Sequence, residues 1–243
     1  MYNFTNLFRE VDGDLGFALI KISNQDLDLF REVVQNHYVN ILSKTQSNKF
    51  LESYSITEYH KFSDNVNHSD LWAKKNRILS PEEYNKFMSS DFFLALKKEL
   101  GEINITDEEG SGYPEIYYRL VRPYPFRDVG PLHADKWFWD LGHGQMPLNR
   151  EFKRVKFWCS LWNDNDETGF RFVPGSHLGN FQYSSENRGG ILKPNFDESL
   201  YDLAITNLKG EAGTLIIFND NLLHGGYSTK ESTRLSFEFT LFI

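Results

Sequence analysis

The chain has 243 residues, of which 40% are hydrophobic, 16% are aromatic and 25% are charged. These proportions are ordinary for a folded globular protein and exclude a largely disordered chain. The net charge of −8 at neutral pH disfavours non-specific binding to nucleic acid or to an anionic membrane surface.

Membrane insertion and secretion are also disfavoured. No apolar run approaches the roughly 18 residues that suggest a membrane-spanning helix. The N-terminal segment carries acidic residues where a signal peptide would have an apolar stretch. The one cysteine, Cys159, cannot form an intramolecular disulfide, which fits a reducing compartment. We therefore expect a cytoplasmic protein with no membrane or nucleic-acid partner.

The first part of the chain has the sequence signals of helices. Apolar residues between Leu27 and Ile41 recur at spacings of three and four, which places them on one face of a helix. Ser23 is suited to cap the N-terminus of that helix, and Ser80 and Ser90 are equivalent start signals for two later helices. The acidic, glycine-containing stretch 104–113 is predicted to be a loop.

From residue 113 onward the pattern is that of β-strands. The predicted strands are 115–122, 155–162, 170–173, 214–218 and 234–243. Helices followed by strands indicate an α+β fold, mainly β, whose strands form a sandwich or a barrel. We expect a single domain over residues 1–243, with a mainly helical support region at 1–112 and a β core at 113–243.

A histidine and an aspartate stand two residues apart in His133-Ala134-Asp135. If this segment is a strand, both side chains project to the same side and can reach one metal ion. The motif alone is a weak signal, because a satisfied histidine beside a solvated aspartate is the more common situation.

A second histidine, His224, follows a glycine-rich turn and an apolar strand, and Arg234 and Ser236 share one face of the last predicted strand. Two histidines and a carboxylate form a facial triad that leaves positions on Fe(II) open for a chelating ligand and O2. A 2-oxo acid with a second carboxylate needs a cationic fork for that group, and arginine provides one. The alternative for Arg234 is an interior salt bridge with Glu238, which shares its face.

Three segments carry a resemblance to a known family: LHADKW at 132–137, TGFRFVPGSH at 168–177 and GTLIIFNDNLLHGGYSTKESTRLSF at 213–237. They resemble the Fe(II)- and 2-oxoglutarate-dependent oxygenases, within which the chain is similar to the phytanoyl-CoA dioxygenase-like (PhyH-like) branch. The resemblance covers about residues 115–243. It implies a double-stranded β-helix, a cupin-like jelly roll with the N-terminal helices packed on it.

The resemblance also implies roles for the motif residues. His133, Asp135 and His224 would bind Fe(II). Arg234 would bind the C5 carboxylate of the cosubstrate 2-oxoglutarate, with Ser236 as a second donor, and O2 would be the co-reactant. Related halogenases have a small residue where Asp135 stands, so the aspartate favours hydroxylation over halogenation.

The strand before the metal motif often sends a polar group to the cosubstrate in the resembling enzymes, and Tyr117 is the candidate here. The chain departs from the family pattern at 167–170, which reads Glu-Thr-Gly-Phe where Asn-Gly-x-Leu or Gly-Gly-Leu is usual. Because of the larger Phe170 and the shifted Gly169, we assign no family-wide role to that strand from the resemblance.

Candidate substrate contacts are basic or aromatic residues near the motifs, each with an ordinary alternative as surface charge or aromatic core. They are Arg119, Lys136, Trp137, Trp139 and Arg171. Together they favour a polar small molecule, which could be anionic, over a fatty acyl chain.

The predicted function is hydroxylation of an unactivated C–H bond, with O2 consumed and succinate and CO2 released. One alternative is a jelly-roll module that binds a ligand such as a carbohydrate without catalysis. Another is the same iron site performing desaturation, cyclisation or epimerisation. The sequence defines neither the substrate nor the oligomeric state.

Overall fold

The computed structural model describes residues 2, 4, 6–44, 46, 54–144, 153–163, 165–188 and 190–243. Its α-helices, labelled α1 to α6, are Leu7–Asp12, Asn24–Leu42, His68–Leu71, Pro81–Met88, Asp91–Leu100 and Asp135–Asp140. Short 3-10 helices span Ile56–Lys61, Ser63–Asn65, Lys74–Asn76, Ser176–Leu178 and Glu198–Leu200. Within the described residues, no helix has both the length and the apolar character needed to cross a membrane.

The predicted helix starts are confirmed. The Ser23 hydroxyl accepts a hydrogen bond from the backbone nitrogen of Asp26 at 3.1 Å, which caps α2. Ser80 and Glu83 form a reciprocal capping box at the start of α4. The Ser90 hydroxyl accepts a hydrogen bond from the backbone nitrogen of Phe93 at 3.3 Å, which caps α5. These local signals suffice because a cap satisfies backbone groups that the helix itself leaves unpaired.

The strands, labelled β1 to β11, are Phe17–Lys21, Asn104–Ile105, Tyr117–Val121, Arg154–Trp162, Glu167–Phe172, Ser184–Arg188, Ile191–Asn195, Thr206–Lys209, Thr214–Asn219, His224–Gly226 and Arg234–Phe242. The predicted strands are confirmed as β3, β4, β5, β9 and β11. The remaining strands were not predicted, and β2 lies in the segment expected to be a loop. Most of them are short or exposed, so they carry little alternation of buried and exposed residues.

Two antiparallel sheets form the jelly roll. The main sheet has the order β1-β9-β4-β11-β2, and β3 also pairs with β11. The second sheet has the order β10-β5-β8, and β6 and β7 form a separate hairpin. The expected α+β, mainly β, double-stranded β-helix is therefore confirmed.

The two faces of β4 lie in different environments. Phe157 and Cys159 point to the outer face, where they join the core formed with the N-terminal helices. Trp158 points inward, where it packs against Phe170 of the second sheet with ring centroids 4.9 Å apart. The helices therefore cover the outer face of the main sheet and leave the space between the sheets for a site.

Phe30 of α2 links the helices to the main sheet. It is fully buried, stacks on Phe87 with centroids 4.3 Å apart, and meets Phe237 of β11 edge-on at 5.1 Å. We predict that Phe30→Ala lowers the free energy of unfolding by about 3–5 kcal/mol, because the surrounding rings cannot close the cavity. Leu94→Ala removes a side chain that is 53% exposed and should change that free energy by no more than about 0.5 kcal/mol. Urea unfolding measures both, and equal losses in the two variants would contradict the prediction.

Candidate active site

Three side chains that can bind a metal converge between the sheets. His133 and His224 form an isolated β-bridge, in which each backbone nitrogen donates to the other residue's carbonyl oxygen at 2.9 Å. The Oδ1 atom of Asp135 lies 3.8 Å from Nε2 of His133 and 3.7 Å from Nε2 of His224. One ligand atom from each residue lies within 4.8 Å of the others. The structure thus brings together the predicted metal ligands.

The local geometry of the His133–Asp135 motif differs from the strand that the sequence suggested. His133 belongs to the β-bridge, but Asp135 is the first residue of α6, after Ala134 as N-cap. The carboxylate therefore reaches the histidines from a helix N-terminus, where a negative charge is favourable. The prediction that His133 and Asp135 converge because they alternate on one strand was therefore wrong in its physical reason.

Backbone carbonyls fix the orientation of both imidazole rings. Nδ1 of His133 lies 3.1 Å from the carbonyl oxygen of Pro131, and Nδ1 of His224 lies 3.0 Å from that of Leu222. Because a carbonyl oxygen can only accept, each Nδ1 must carry the proton, which leaves Nε2 free as a lone-pair donor. Both Nε2 atoms are the ones that face Asp135.

The protonation states are those that a metal requires. Burial, and next the neighbouring His224, lower the pKa of His133 to about 4. Burial also lowers the pKa of His224. Burial alone would raise the pKa of Asp135, but the neighbouring Lys156 ammonium holds it below its usual value. At neutral pH the site therefore contains two neutral imidazoles and one carboxylate, ready to bind a cation.

Arg234 is a buried cation without a carboxylate partner among the described residues. It is 2% exposed, its Nε has no hydrogen-bond partner there, and its Nη1 donates to the hydroxyl of Ser236 at 3.2 Å. The alternative salt bridge with Glu238 is not formed, because Glu238 pairs with Arg119 and Lys156 instead. A buried charge without a counter-charge is costly, so Arg234 is suited to bind an anionic ligand.

Gly169 makes room for the Arg234 side chain. A Cβ atom at this position would lie 2.2 Å from both Cδ and Nε of Arg234, and the backbone φ is +78°. The next residue, Phe170, stacks on the His224 ring with centroids 5.6 Å apart. The two residues that depart from the usual family pattern therefore both contact the site, a contribution that sequence reasoning missed.

One cavity joins the two candidate histidine ligands to Arg234. Its lining includes His133, His224, Trp158, Gly169, Arg234 and Glu238. A ligand in this cavity can therefore contact a metal at one end and a guanidinium at the other.

Comparisons with known proteins agree with this geometry. A model of the family described as phytanoyl-CoA dioxygenase (PhyH) matches residues 30–234. The chain belongs to the phytanoyl-CoA dioxygenase family. It is therefore an oxygenase of the class that uses ferrous iron, 2-oxoglutarate and O2. A comparison with curated proteins gave no match.

Solved structures show the same fold at low sequence identity. EvdO2 from Micromonospora carbonacea var. aurantiaca, complexed with 2-oxoglutarate, is 13% identical with a TM-score of 0.61, covering 100% of this chain and 91% of that one. EctD from S. alaskensis, with 2-oxoglutarate and 5-hydroxyectoine, is 16% identical with a TM-score of 0.54, covering 96% and 75%. SnoK, a non-heme alpha-ketoglutarate-dependent carbocyclase from nogalamycin biosynthesis, is 15% identical with a TM-score of 0.54, covering 98% and 83%.

The residues of this family member fit both groups that the class requires. Two imidazoles and a carboxylate suit Fe(II). The buried Arg234, with its unpartnered Nε and the Ser236 hydroxyl beside it, suits a carboxylate of 2-oxoglutarate.

The tentative contacts lie in several places around this phytanoyl-CoA dioxygenase-family site. Arg119 lines the cavity and is hydrogen-bonded to Glu238. Tyr117 is buried, and its hydroxyl lies 3.4 Å from the Lys156 ammonium. Their proposed contacts with cosubstrate or substrate stay predictions.

The other substrate candidates have protein partners of their own. Trp137 stacks on Tyr183 at 4.6 Å, and the Arg154 guanidinium lies over the Trp139 ring at 4.7 Å. The remaining two are paired with carboxylates: Lys136 with Asp140 at 3.0 Å, and Arg171 with Glu198 at 2.9 Å. None of these four candidates is among the described residues that line the cavity.

A buried lysine beside the metal ligands was also missed. Lys156 is 3% exposed, and its ammonium lies 3.6 Å from Asp135, 3.5 Å from Glu238 and 3.9 Å from Glu108. Burial alone would lower its pKa, but these carboxylates raise it well above the usual value. Burial would raise the pKa of Glu238, but Arg119 and Lys156 lower it to about 2. The alternation of β4 placed Lys156 on the Trp158 face, but nothing in the sequence showed that this face is buried.

We predict that Gly169→Ala weakens 2-oxoglutarate binding at least tenfold, equivalent to about 1.4 kcal/mol. The new methyl group would displace the Arg234 side chain. Gly112→Ala is the matched control, because Gly112 has a φ of +87° with nothing within 4 Å of the added carbon. Calorimetric titration of the Mn(II)-loaded protein measures the affinity. Equal weakening in the two variants would assign the effect to backbone strain alone.

The pKa of His133 predicts how stability depends on pH in the metal-free protein. The ordinary value of 6.5 applies to the unfolded chain, whereas the folded value is about 4. Between these values the unfolded chain binds a proton that the folded state excludes. Stability is therefore complete above about pH 6.5 and falls by up to roughly 3 kcal/mol as the pH approaches 4.

His133→Asn should flatten this part of the profile, because asparagine does not titrate. Urea unfolding at half-unit pH steps, in the presence of a chelator, makes the measurement. A variant with the wild-type slope between pH 6.5 and 4 would refute the assignment to His133.

Proposed function

We propose that this protein is an Fe(II)- and 2-oxoglutarate-dependent hydroxylase of a polar small molecule. In this proposal His133, Asp135 and His224 bind the iron, and Arg234 binds the C5 carboxylate of 2-oxoglutarate. The observation that carries it is the buried guanidinium of Arg234, without a carboxylate partner in the described chain, in the same cavity as both histidines. An anionic group would stabilise the buried charge, and the shared cavity would allow the same ligand to reach the metal ligands.

The bound iron would supply the redox chemistry, in which 2-oxoglutarate and O2 give succinate and CO2 and one oxygen atom enters a substrate C–H bond. The protein residues would bind and orient the reactants. His133, Asp135 and His224 would each supply one ligand atom to the iron, and such a set of three would leave coordination positions for the cosubstrate and O2. The Arg234 fork and the Ser236 hydroxyl would hold the far carboxylate.

Aromatic side chains would keep water from the His224 edge of the site. Phe170 stacks on the imidazole, and Phe218 contacts it with ring centroids 4.6 Å apart. Excluding water strengthens every charge interaction inside the cavity and protects reactive groups from side reactions.

The substrate that best fits the cavity is polar and carries both hydrogen-bond donors and acceptors. The lining carries the Arg119 guanidinium and the Asp128 carboxylate, groups of opposite charge whose charges are already balanced by Glu238 and Arg122. Lys136 and Arg171, two of the basic residues that suggested an anionic substrate, are already paired with Asp140 and Glu198. We therefore favour a polar substrate of mixed character over a strongly anionic one. Asp135 would fill the coordination position that a halide needs, which favours hydroxylation over halogenation.

Oxidative ring closure is a second candidate, since the fold is shared with SnoK, a carbocyclase. The same iron site would serve it, and the outcome would depend on which substrate atom faces the metal. A module that only binds a ligand would leave the triad and the buried Arg234 without a purpose.

The test is anaerobic addition of Fe(II) and then 2-oxoglutarate. We expect a visible metal-to-ligand charge-transfer band in the wild type, because a chelated 2-oxo acid accepts electron density from the ferrous ion. Asp135→Ala and His224→Ala should lose this band while keeping the circular dichroism of the folded protein. Wild-type protein without the band would refute the proposal.

The substrate class is then measured by O2 consumption and succinate formation with a panel of polar metabolites. Products identified by mass distinguish the two outcomes. A gain of 16 mass units indicates hydroxylation, and a loss of two indicates ring closure or desaturation.

A further inference from the structure

The two oxygen atoms of Asp135 face different partners. Oδ1 faces the Nε2 atoms of His133 and His224, at 3.8 and 3.7 Å. Oδ2 points the other way, is buried, and has no hydrogen-bond partner among the described residues. Its neighbour is the Lys156 ammonium at 3.6 Å. Asp135 Oδ2 is therefore stabilised by its electrostatic attraction to the Lys156 ammonium and not by a hydrogen bond.

The position of Lys156 follows from the strand registers. Lys156 pairs across the main sheet with Thr240 of β11 on one side and Phe218 of β9 on the other. It therefore lies in the middle of the sheet, and the pleat directs its side chain to the inner face, as it does for Trp158. A lysine is rarely buried at such a position unless anions compensate its charge.

Among its three carboxylate neighbours, Lys156 is the main counter-charge of Asp135. Three carboxylates surround the ammonium, but two of them have another cation: Glu238 bonds to Arg119, and Glu108 bonds to Lys74 at 2.8 Å. Asp135 has no arginine or lysine within 4 Å in the described chain except Lys156. The ammonium is thus the permanent counter-charge of the metal-binding carboxylate.

We propose that Lys156 is a positioning residue that keeps Asp135 a monodentate metal ligand, a step that rests on the proposed function. By attracting Oδ2, the ammonium leaves Oδ1 alone to face the metal. If both oxygens bound, the carboxylate would occupy one of the positions that the cosubstrate and O2 need. Lys156 therefore preserves an open coordination position without touching the metal or the substrate.

The ammonium also restrains Glu238. This carboxylate lines the same cavity as the histidines, and it is held between Lys156 at 3.5 Å and the Arg119 guanidinium. Carboxylates bind divalent cations readily, so an unrestrained Glu238 would compete for the metal. The same lysine thus withholds two carboxylate oxygens from the coordination sphere.

The test compares Co(II)-loaded wild type, Lys156→Gln and Lys156→Arg. The d–d absorption of Co(II) reports the number and arrangement of its ligands and needs no turnover. We expect Lys156→Gln to change this spectrum even without 2-oxoglutarate, and to weaken 2-oxoglutarate binding by about 10- to 100-fold, the range usual for lost outer contacts of metal ligands. Lys156→Arg, which retains the charge, should restore both toward wild type.

Lys74→Gln is the matched control. Lys74 is a partly buried lysine in the same charge cluster, paired with Glu108 and Glu115 but not with Asp135. Its removal should lower thermal stability and leave the Co(II) spectrum unchanged. If Lys156→Gln does not fold, the double variant Lys156→Gln/Glu238→Gln removes one charge of each sign and should show the same spectral change.

A folded Lys156→Gln protein with the wild-type Co(II) spectrum would overturn the inference, whatever its stability. Failure of the proposed function looks different. In that case wild-type protein would bind no Co(II) at this site, or 2-oxoglutarate would leave its spectrum unchanged.

Discussion

The burial of the Arg234 guanidinium is the constraint around which the site is arranged. A buried cation is costly unless an anion compensates its charge. The nearby Glu238 does not do so, because it is paired with Arg119 and Lys156. Gly169 has no side chain because Arg234 occupies that space. The cavity therefore has a guanidinium that is unpaired in the described chain at one end and the candidate metal ligands at the other.

Much of the fold was accessible from local chemistry. Serine caps located α2, α4 and α5, and two-residue alternation located β4 and β11, because both signals act within a few residues. The same alternation correctly placed Arg234 and Ser236 side by side. The family resemblance then predicted that His133, Asp135 and His224 form one site. Strand alternation could not predict this, because it relates only residues within one strand.

Most of the features that were missed depend on contacts between distant segments. The sequence places Lys156 on the Trp158 face of its strand, but only the pairing of β4 with β9 and β11 shows that this face is buried beside Asp135. Phe170 and Gly169 depart from the usual family pattern. In the structure Phe170 stacks on His224, and Gly169 leaves space for the Arg234 side chain. Lys136 and Arg171 were candidates because of their charge. Lys136 pairs with Asp140 one turn along α6, a helix that was not predicted, and Arg171 pairs with the distant Glu198.

The β-bridge between His133 and His224 has a consequence for metal selection. Reciprocal backbone hydrogen bonds hold the backbones of the two histidines together, and the Nδ1 contacts fix both rings, so the nitrogen donors are held in place by the fold. Such a rigid nitrogen and oxygen donor set favours copper, nickel and zinc over ferrous iron by intrinsic affinity. If these residues bind Fe(II) as proposed, its delivery would depend on cellular supply, and competing ions would act as inhibitors that occupy the site without supporting the oxygenase reaction.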